Sequence, residues 1–258
     1  MKKSVEFDEI LENEKIAEDI YSMVLCCPEI TSKAVAGQFV EVYTGLGEYI
    51  LPRPISISEI DKEKCTLTLV YQVVGKGSDY FSQCPVGDSL KVMGPCGNGF
   101  SIDIGIKKSI LAGGGIGTAP LVELCKQLKG SVTVFIGSRT APVLVDKFKS
   151  LGADVHVATD DGSVGFKGNI VQLMDSVNPQ GGLIYACGPK VMLKYTAKWG
   201  SERNIPVQVS MEERMACGIG ACVGCAVKIK RNGENDWQNL KVCKDGPVFM
   251  GDEVMWDE

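Results

Sequence analysis

Residues 107–128, KKSILAGGGIGTAPLVELCKQL, read as an apolar strand, a glycine loop and an amphipathic helix in direct succession. The pattern recurs downstream. SVTVFIG (131–137) precedes a helix around VLVDKFKSLG (143–152), and DVHVAT (154–159) precedes NIVQLMDSV (169–177). GGLIYACG (181–188) precedes PKVMLKYTAKWGSE (189–202), and IPVQVSME (205–212) is the final strand. Strands alternating with helices at this spacing predict a parallel sheet covered on both faces, an α/β domain over 103–211.

Upstream the rhythm is different. VEFDEILENEKIAEDIYSMVLCC (5–27), QFVEVYT (38–44), ISISEI (55–60), CTLTLVYQVV (65–74) and DSLKVMG (88–94) are short strand-like runs separated by turns, with one helical interruption, SDYFSQC (78–84). Alternation through Thr66, Leu67, Thr68, Leu69 and Val70 marks a half-buried strand. Residues 1–102 are therefore expected to form a small antiparallel barrel. Downstream, 212–258 is short and rich in glycine and cysteine, with a hairpin expected in CAVKIKRNGENDWQNLKVC (225–243) turning at Asn232-Gly233.

Composition narrows the function. The 258 residues carry a net charge of −5, 45% hydrophobic residues and a single histidine, His156, which lies in a strand and reads as structural. There is no basic excess for nucleic acid or anionic lipid, no apolar run long enough to span a bilayer, and no secretory pattern in MKKSVEFDEILENEK. The chain reads as a soluble cytosolic protein. In that reducing compartment 11 cysteines are not a disulfide framework.

Four of them have a spacing of their own. Cys217, Cys222 and Cys225 stand as Cys-x4-Cys-x2-Cys in MACGIGACVGC (215–225), and Cys243 follows after 17 residues. That is the plant-type arrangement for thiolate ligation of a 2Fe-2S cluster. One loop must place three sulfurs around two irons, and Gly218, Gly220, Ala221 and Gly224 give it the room. Zinc is the alternative ligand, but its sites usually pair Cys-x2-Cys twice and only one such pair is present; scattered core thiols are the other alternative.

Two further places suit anionic cofactors. In RPISI, Arg53 can neutralise a pyrophosphate, while the Ser56 hydroxyl or an adjacent N–H can bond a flavin nitrogen; Pro54 and Ile55 lie between them. Gly75, Gly77 and Ser78 lie at the start of the short helix, where a helix N-terminus favours phosphate. In the α/β domain, Gly113, Gly114, Gly115 and Gly117 let the backbone approach a pyrophosphate, with Thr118 expected to cap the next helix and Pro120 to lie in its first turn. The loop is neither a Walker loop nor a strict GxGxxG, so the strand order carries the dinucleotide reading, and tight helix packing is the alternative.

Cys187, Gly188 and Pro189 follow another strand at the edge where open α/β sheets bind ligands, although Cys187 would also serve as a small buried hydrophobe. Asp160 and Asp161 end DVHVAT, where a carboxylate bonds ribose hydroxyls and repels a 2′-phosphate. They favour NADH over NADPH, and Arg139 opposes them.

RPIS, GGGIGTAP and the CGP turn, in that order after a barrel, resemble the ferredoxin-NADP reductase superfamily. With TDDGSVGFKG (159–168) and MACGIGACVGCAV (215–227), the whole chain is similar to the electron-transfer subunits of type B dihydroorotate dehydrogenases. The resemblance implies FAD at Arg53, Pro54, Ile55 and Ser56 with Val70, Tyr71, Gln72, Gly77 and Ser78, and a 2Fe-2S cluster on Cys217, Cys222, Cys225 and Cys243. NAD(H) would be the co-substrate, with no acid or base catalyst and hydride transfer near Cys187. It further implies a partner subunit that holds FMN and oxidises dihydroorotate in pyrimidine biosynthesis, two chains of each kind forming a heterotetramer. Related reductases that link NAD(P)H to ferredoxin or sulfur species share the three-part order. A zinc-stabilised docking module with no enzymatic role is the alternative from another class.

Overall fold

The computed structural model describes residues 3–47, 49–230 and 236–256. Six strands close a barrel: β1 (Ser4–Ala17), β2 (Ile20–Cys26), β3 (Phe39–Tyr43), β4 (Arg53–Asp61), β5 (Thr66–Gln72) and β6 (Ser89–Cys96), in the spatial order β1-β2-β5-β4-β3-β6 with every pairing antiparallel. Closure removes exposed sheet edges. Ile10, Leu25, Val40, Val42, Ile57, Leu67, Leu69 and Val92 fill the interior, all fully buried. Helix α1 (Pro28–Lys33) had no expectation attached to it; proline at its first position suits a helix start. Helix α2 (Lys76–Gln83) takes the place of the expected interruption.

The second sheet has the order β10-β9-β8-β7-β11-β12-β15. Its strands are β7 (Lys108–Gly114), β8 (Ser131–Ser138), β9 (Asp154–Thr159), β10 (Phe166–Lys167), β11 (Leu183–Cys187), β12 (Val207–Ser210) and β15 (Val248–Met250), crossed by α3 (Pro120–Gln127), α4 (Val145–Ser150), α5 (Ile170–Val177) and α6 (Lys190–Ser201). The pairs from β10 to β12 are parallel. The chain runs from β7 outward to β8, β9 and β10, then returns to β11 on the other side of β7. The direction of winding therefore reverses between β7 and β11, the place where open α/β sheets bind ligands.

The C-terminal segment is built into both neighbours. Strands β13 (Ala226–Lys230) and β14 (Trp237–Lys241) form the expected hairpin, whose Asn232-Gly233 turn lies outside the described residues. Strand β15 pairs antiparallel with β12 and so becomes an edge of the α/β sheet, a role its three residues did not suggest. Cys225, Val227, Ile229, Val242, Cys243 and Phe249 share one apolar core with Val207 and Val209 of the sheet and with Phe39, Met93 and Cys96 of the barrel.

Barrel and sheet are latched through α3. Glu123, 3% exposed, accepts the Ile60 N–H at 2.8 Å, and Lys126 Nζ donates to the Ile60 carbonyl at 2.9 Å. The Ser58 hydroxyl donates to the Ala119 carbonyl at 3.1 Å. Strand β3 pairs with β4 only over Arg53–Ser56, so the Ile60 N–H and carbonyl lie beyond its reach, and α3 supplies their partners. Among the described residues, no helix is long and apolar enough to cross a membrane.

Candidate functional site

Arg53 opens β4 and its guanidinium lies against the start of α2. A Cβ on Gly77 would stand 2.0 Å from Arg53 Nε, so glycine there is what lets the arginine reach the helix N-terminus. Arg53 Nη1 donates to the Leu51 carbonyl, which holds the side chain in place. Tyr49 lies beneath both Arg53 and Lys76, with the two cations 5.7 and 6.0 Å from its ring centre. Ser78 turns its hydroxyl back to accept from the Val74 and Gly75 N–H groups at 3.0 and 3.2 Å, which tightens the turn into α2. Two cations and a first-turn set of N–H groups thus converge on one spot, a cradle suited to a pyrophosphate. Pro54 is exposed, Ser56 half-buried and Ile55 buried on the same strand.

On β5, Val70 is buried and Gln72 exposed. Tyr71 is turned away from this cradle: its ring stacks on Tyr21 at 5.9 Å, meets Phe81 edge-on at 6.3 Å, and its hydroxyl donates to Asn13 at 3.2 Å. Its side chain fills the barrel, and burial pushes its phenol well above the usual range. Tyr49 and Lys76 were missed by sequence reasoning; the only hint was a lysine in the GKGS run, since Tyr49 reaches the site by tertiary folding.

The glycine loop and the CGP turn meet at the switch point between β7 and β11. A Cβ on Gly117 would lie 2.6 Å from Gly188 Cα and 2.7 Å from the Cys187 carbonyl oxygen, and one on Gly188 would lie 3.0 Å from Gly114 Cα. Gly114 in turn faces Met192 Sδ and Pro189 Cδ at 2.5 and 2.9 Å by the same measure. Gly115, at φ +55°, has nothing within 4 Å of its Cβ position and leaves an open face. Residues 115–118 make a 3-10 turn that runs straight into α3, so the residue before the helix is Ala119, itself helical at φ −59°, ψ −50°. Thr118 is therefore not the cap that the sequence suggested: its hydroxyl is buried, without a partner, and 2.8 Å from the Cβ position of Gly113. Pro120 begins α3 as expected.

Cys187 ends β11 and is buried, with burial pushing its thiol up to about 12 and Ser210 pulling against that. Asp160 follows β9 at the same edge, two strands from the glycine loop, and is exposed. Asp161 is engaged in its own turn, accepting the Ser163 N–H at 2.9 Å, which holds its carboxyl below the usual range. His156 stacks on Phe135 at 5.1 Å and meets Asp154 at 3.0 Å, a packing role.

The four cysteines lie on and beside the 217–225 loop. Gly218 and Gly220 both have positive φ, +62° and +80°, which bends this loop back on itself. Cys217 and Cys222 are half-buried, whereas Cys225 and Cys243 are 1% and 0% exposed. Burial would raise the Cys217 thiol, but N–H groups of Cys222, Ile219 and Ala221 point at its sulfur and draw it down to about 6. The Cys222 N–H donates to Cys217 Sγ at 3.4 Å. Burial, with Cys225 beside it, holds the Cys243 thiol up at about 12. A thiolate prepared by backbone donors and a buried thiol pair fit a metal cluster, whose binding replaces the protons on its sulfur ligands. No three His, Cys, Asp or Glu side chains among the described residues gather round a point that one ion could fill, and a binuclear cluster spreads its ligands more widely than a tetrahedral zinc. None of the 11 cysteines is in a disulfide.

Comparison with known proteins gives independent findings. Residues 212–255 match the model of the iron-sulfur cluster binding domain of dihydroorotate dehydrogenase B, and residues 9–100 match the oxidoreductase FAD-binding domain. The chain is 42% identical over 250 residues to the dihydroorotate dehydrogenase B (NAD(+)) electron transfer subunit of Desulforamulus reducens, covering 94% of this chain and 95% of the relative. It is 43% identical over 254 residues to the subunit of the same name from Streptococcus thermophilus, covering 95% and 96%. Among solved structures, an NADH-dependent reduced ferredoxin-NADP oxidoreductase studied for flavin-based electron bifurcation superposes with a TM-score of 0.86 at 31% identity, over 98% of this chain and 91% of that one.

Proposed function

Because the chain belongs to the family of dihydroorotate dehydrogenase B electron transfer subunits, we propose that it carries electrons from a dihydroorotate-oxidising partner to NAD+, using a 2Fe-2S cluster and FAD held by its own residues. The observation that carries this reading is the docking of the four-cysteine segment into one core with both the barrel and the nucleotide sheet. FAD supplies the chemistry that joins the two ends, since it exchanges single electrons with an iron-sulfur cluster and a hydride with nicotinamide.

Each part of the chain has a task in that scheme. Arg53, Lys76 and the first N–H groups of α2 would hold the flavin pyrophosphate, and the half-buried Ser56 on β4 would bond a flavin nitrogen. Gly113, Gly114 and Gly117 with Gly188 and Pro189 let the two turns pack together at the switch point, Gly115 leaves the open face where the nicotinamide dinucleotide would be held, and Asp160 would bond its ribose. Cys187, buried at the end of β11, would help to position the nicotinamide; hydride transfer needs such positioning rather than a protein base. Cys217, Cys222, Cys225 and Cys243 hold the cluster, with residues 212–258 as its binding unit beside a barrel over 1–102 and a nucleotide unit over 103–211. The partner holds FMN, and two chains of each kind assemble in the cytoplasm.

A second reading is favoured by one finding, the 31% identical structural relative that acts on ferredoxin. The two separate on donor: dihydroorotate with the FMN subunit against reduced ferredoxin. Purification in complex with its FMN-containing partner subunit, followed by addition of dihydroorotate under anaerobic conditions, tests the proposal. Bleaching of the flavins supports it, and bleaching by reduced ferredoxin alone refutes it in favour of the second reading.

A further inference from the structure

One buried carboxyl belongs neither to the Arg53–Lys76 cradle nor to the latch at Glu123. Glu41 lies on β3, is 0% exposed, and has no hydrogen-bond partner on either carboxyl oxygen. Its side chain faces outward from the barrel, on the face where Phe39 and Met93 join the core shared with the cysteine segment. There it lies flat on the ligand loop: a Cβ on Gly218 would stand 2.5 Å from Glu41 Oε1 and 2.6 Å from its Cγ. Gly218 is thus glycine for two reasons, its φ of +62° and the carboxyl above it.

Lys3, just before β1, reaches the same place. Its ammonium donates to the Gly218 carbonyl and, at 3.3 Å, to the Cys243 carbonyl, bridging the loop to the fourth cysteine. The groups that face Glu41 are Lys3, which favours its charge, and Cys217, which opposes it; the Tyr43 phenol and the Cys96 thiol are raised chiefly by burial, with Glu41 adding to both and Lys3 opposing it at Cys96. Burial comes first among the influences on Glu41 and pushes its carboxyl up to about 7. A buried carboxyl without a partner costs stability, and the neighbouring outward positions, Phe39 and Met93, are filled by apolar side chains. Stability alone gives no reason for an acid at this position.

We propose that Glu41 and Lys3 are positioning residues that fix the 217–220 loop against the barrel and set, by their opposed charges, the reduction potential of the cluster held there. The potential of an iron-sulfur cluster follows the net charge and hydrogen bonding around its sulfurs, so a carboxylate held against the loop disfavours the reduced cluster and an ammonium favours it. The inference rests on the cluster assignment made above.

The test is an EPR-monitored redox titration of the purified holoprotein at pH 8.5, with iron per chain measured in parallel. Glu41→Gln keeps the shape and removes the charge. It is expected to retain iron and to raise the reduced-to-oxidised ratio at a fixed applied potential about tenfold, a positive shift of ~59 mV for one electron. Lys3→Met is expected to shift the titration in the opposite direction. A merely structural role would not produce opposite shifts with iron retained. If Glu41→Gln fails to load iron, Lys3→Met alone decides, a negative shift supporting the proposal. Variants that titrate with the wild type, or that both shift the same way, overturn it. Iron-free wild-type protein would instead sink the cluster assignment, which keeps the two failures apart.

Discussion

Gly117→Ala should separate nucleotide chemistry from the rest of the molecule. The new methyl would lie 2.6 Å from Gly188 Cα and 2.7 Å from both the Gly188 nitrogen and the Cys187 carbonyl oxygen, all backbone atoms that no rotamer change can move. Restoring an ordinary contact of about 3.4 Å requires the glycine loop and the CGP turn to part by about 0.8 Å. Overpacking of that kind costs about 1–3 kcal/mol of stability, and a misplacement near 1 Å in a positioning element costs about 10²-fold in rate. The assay is stopped-flow bleaching of the flavin by NADH. A drop of about 10²-fold in the second-order rate constant is expected, with FAD and iron content unchanged, because Gly117 packs on Gly188 and Cys187 rather than on the Arg53–Lys76 cradle or the cysteine loop. Gly152→Ala is the control: in the turn after α4, outside the glycine loop, Gly152 has a positive φ of +81° and an open Cβ position, so only that backbone strain is added, roughly 1 kcal/mol. Equal NADH kinetics for Gly117→Ala and wild type would refute the idea that these two turns form the nucleotide site.

Other perturbations bear on the remaining parts. Cys222→Ser should abolish the iron-sulfur absorption and stop partner-linked turnover while NADH still bleaches FAD; partner-linked turnover in a cluster-free variant would contradict the relay. Arg53→Ala should lose flavin on desalting, and Gly77→Ala should do likewise by displacing the guanidinium, whereas full flavin retention in both would remove Arg53 from the pyrophosphate site. Glu123→Ala strands the Ile60 N–H and should lower stability by about 1–3 kcal/mol, read as an earlier denaturation midpoint; an unchanged midpoint would mean that the latch between α3 and β4 adds nothing.

The parts of the fold that were legible in the sequence are those whose signals are local. Alternating strands and helices from 107 onward, and the turn-separated strands before them, are written in hydrophobic period and glycine placement. The cysteine spacing carries its own geometry, because one loop must span a small cluster. What escaped depends on contacts distant in sequence. Strand β15 is three residues long and is a strand only because β12 offers it an edge. Thr118 resembled a cap, yet it ends a 3-10 turn that leads into α3 without one. Tyr71 shares a strand with exposed Gln72, and only the closed barrel shows that its ring points inward. Glu41 had no signal at all. In FVEVY it reads as an ordinary outward polar position, and the loop that covers it arrives from more than 170 residues away.

The central claim is that electrons cross the four-cysteine segment between a dihydroorotate-oxidising partner and the FAD of this chain. Anaerobic addition of dihydroorotate to the complex with the FMN subunit, followed by freeze-quench EPR and flavin absorbance, tests it most directly. The account predicts a reduced-cluster signal with bleaching of both flavins, and in the Cys222→Ser complex bleaching of FMN alone. Full bleaching of FAD by dihydroorotate in the cluster-free complex would contradict it.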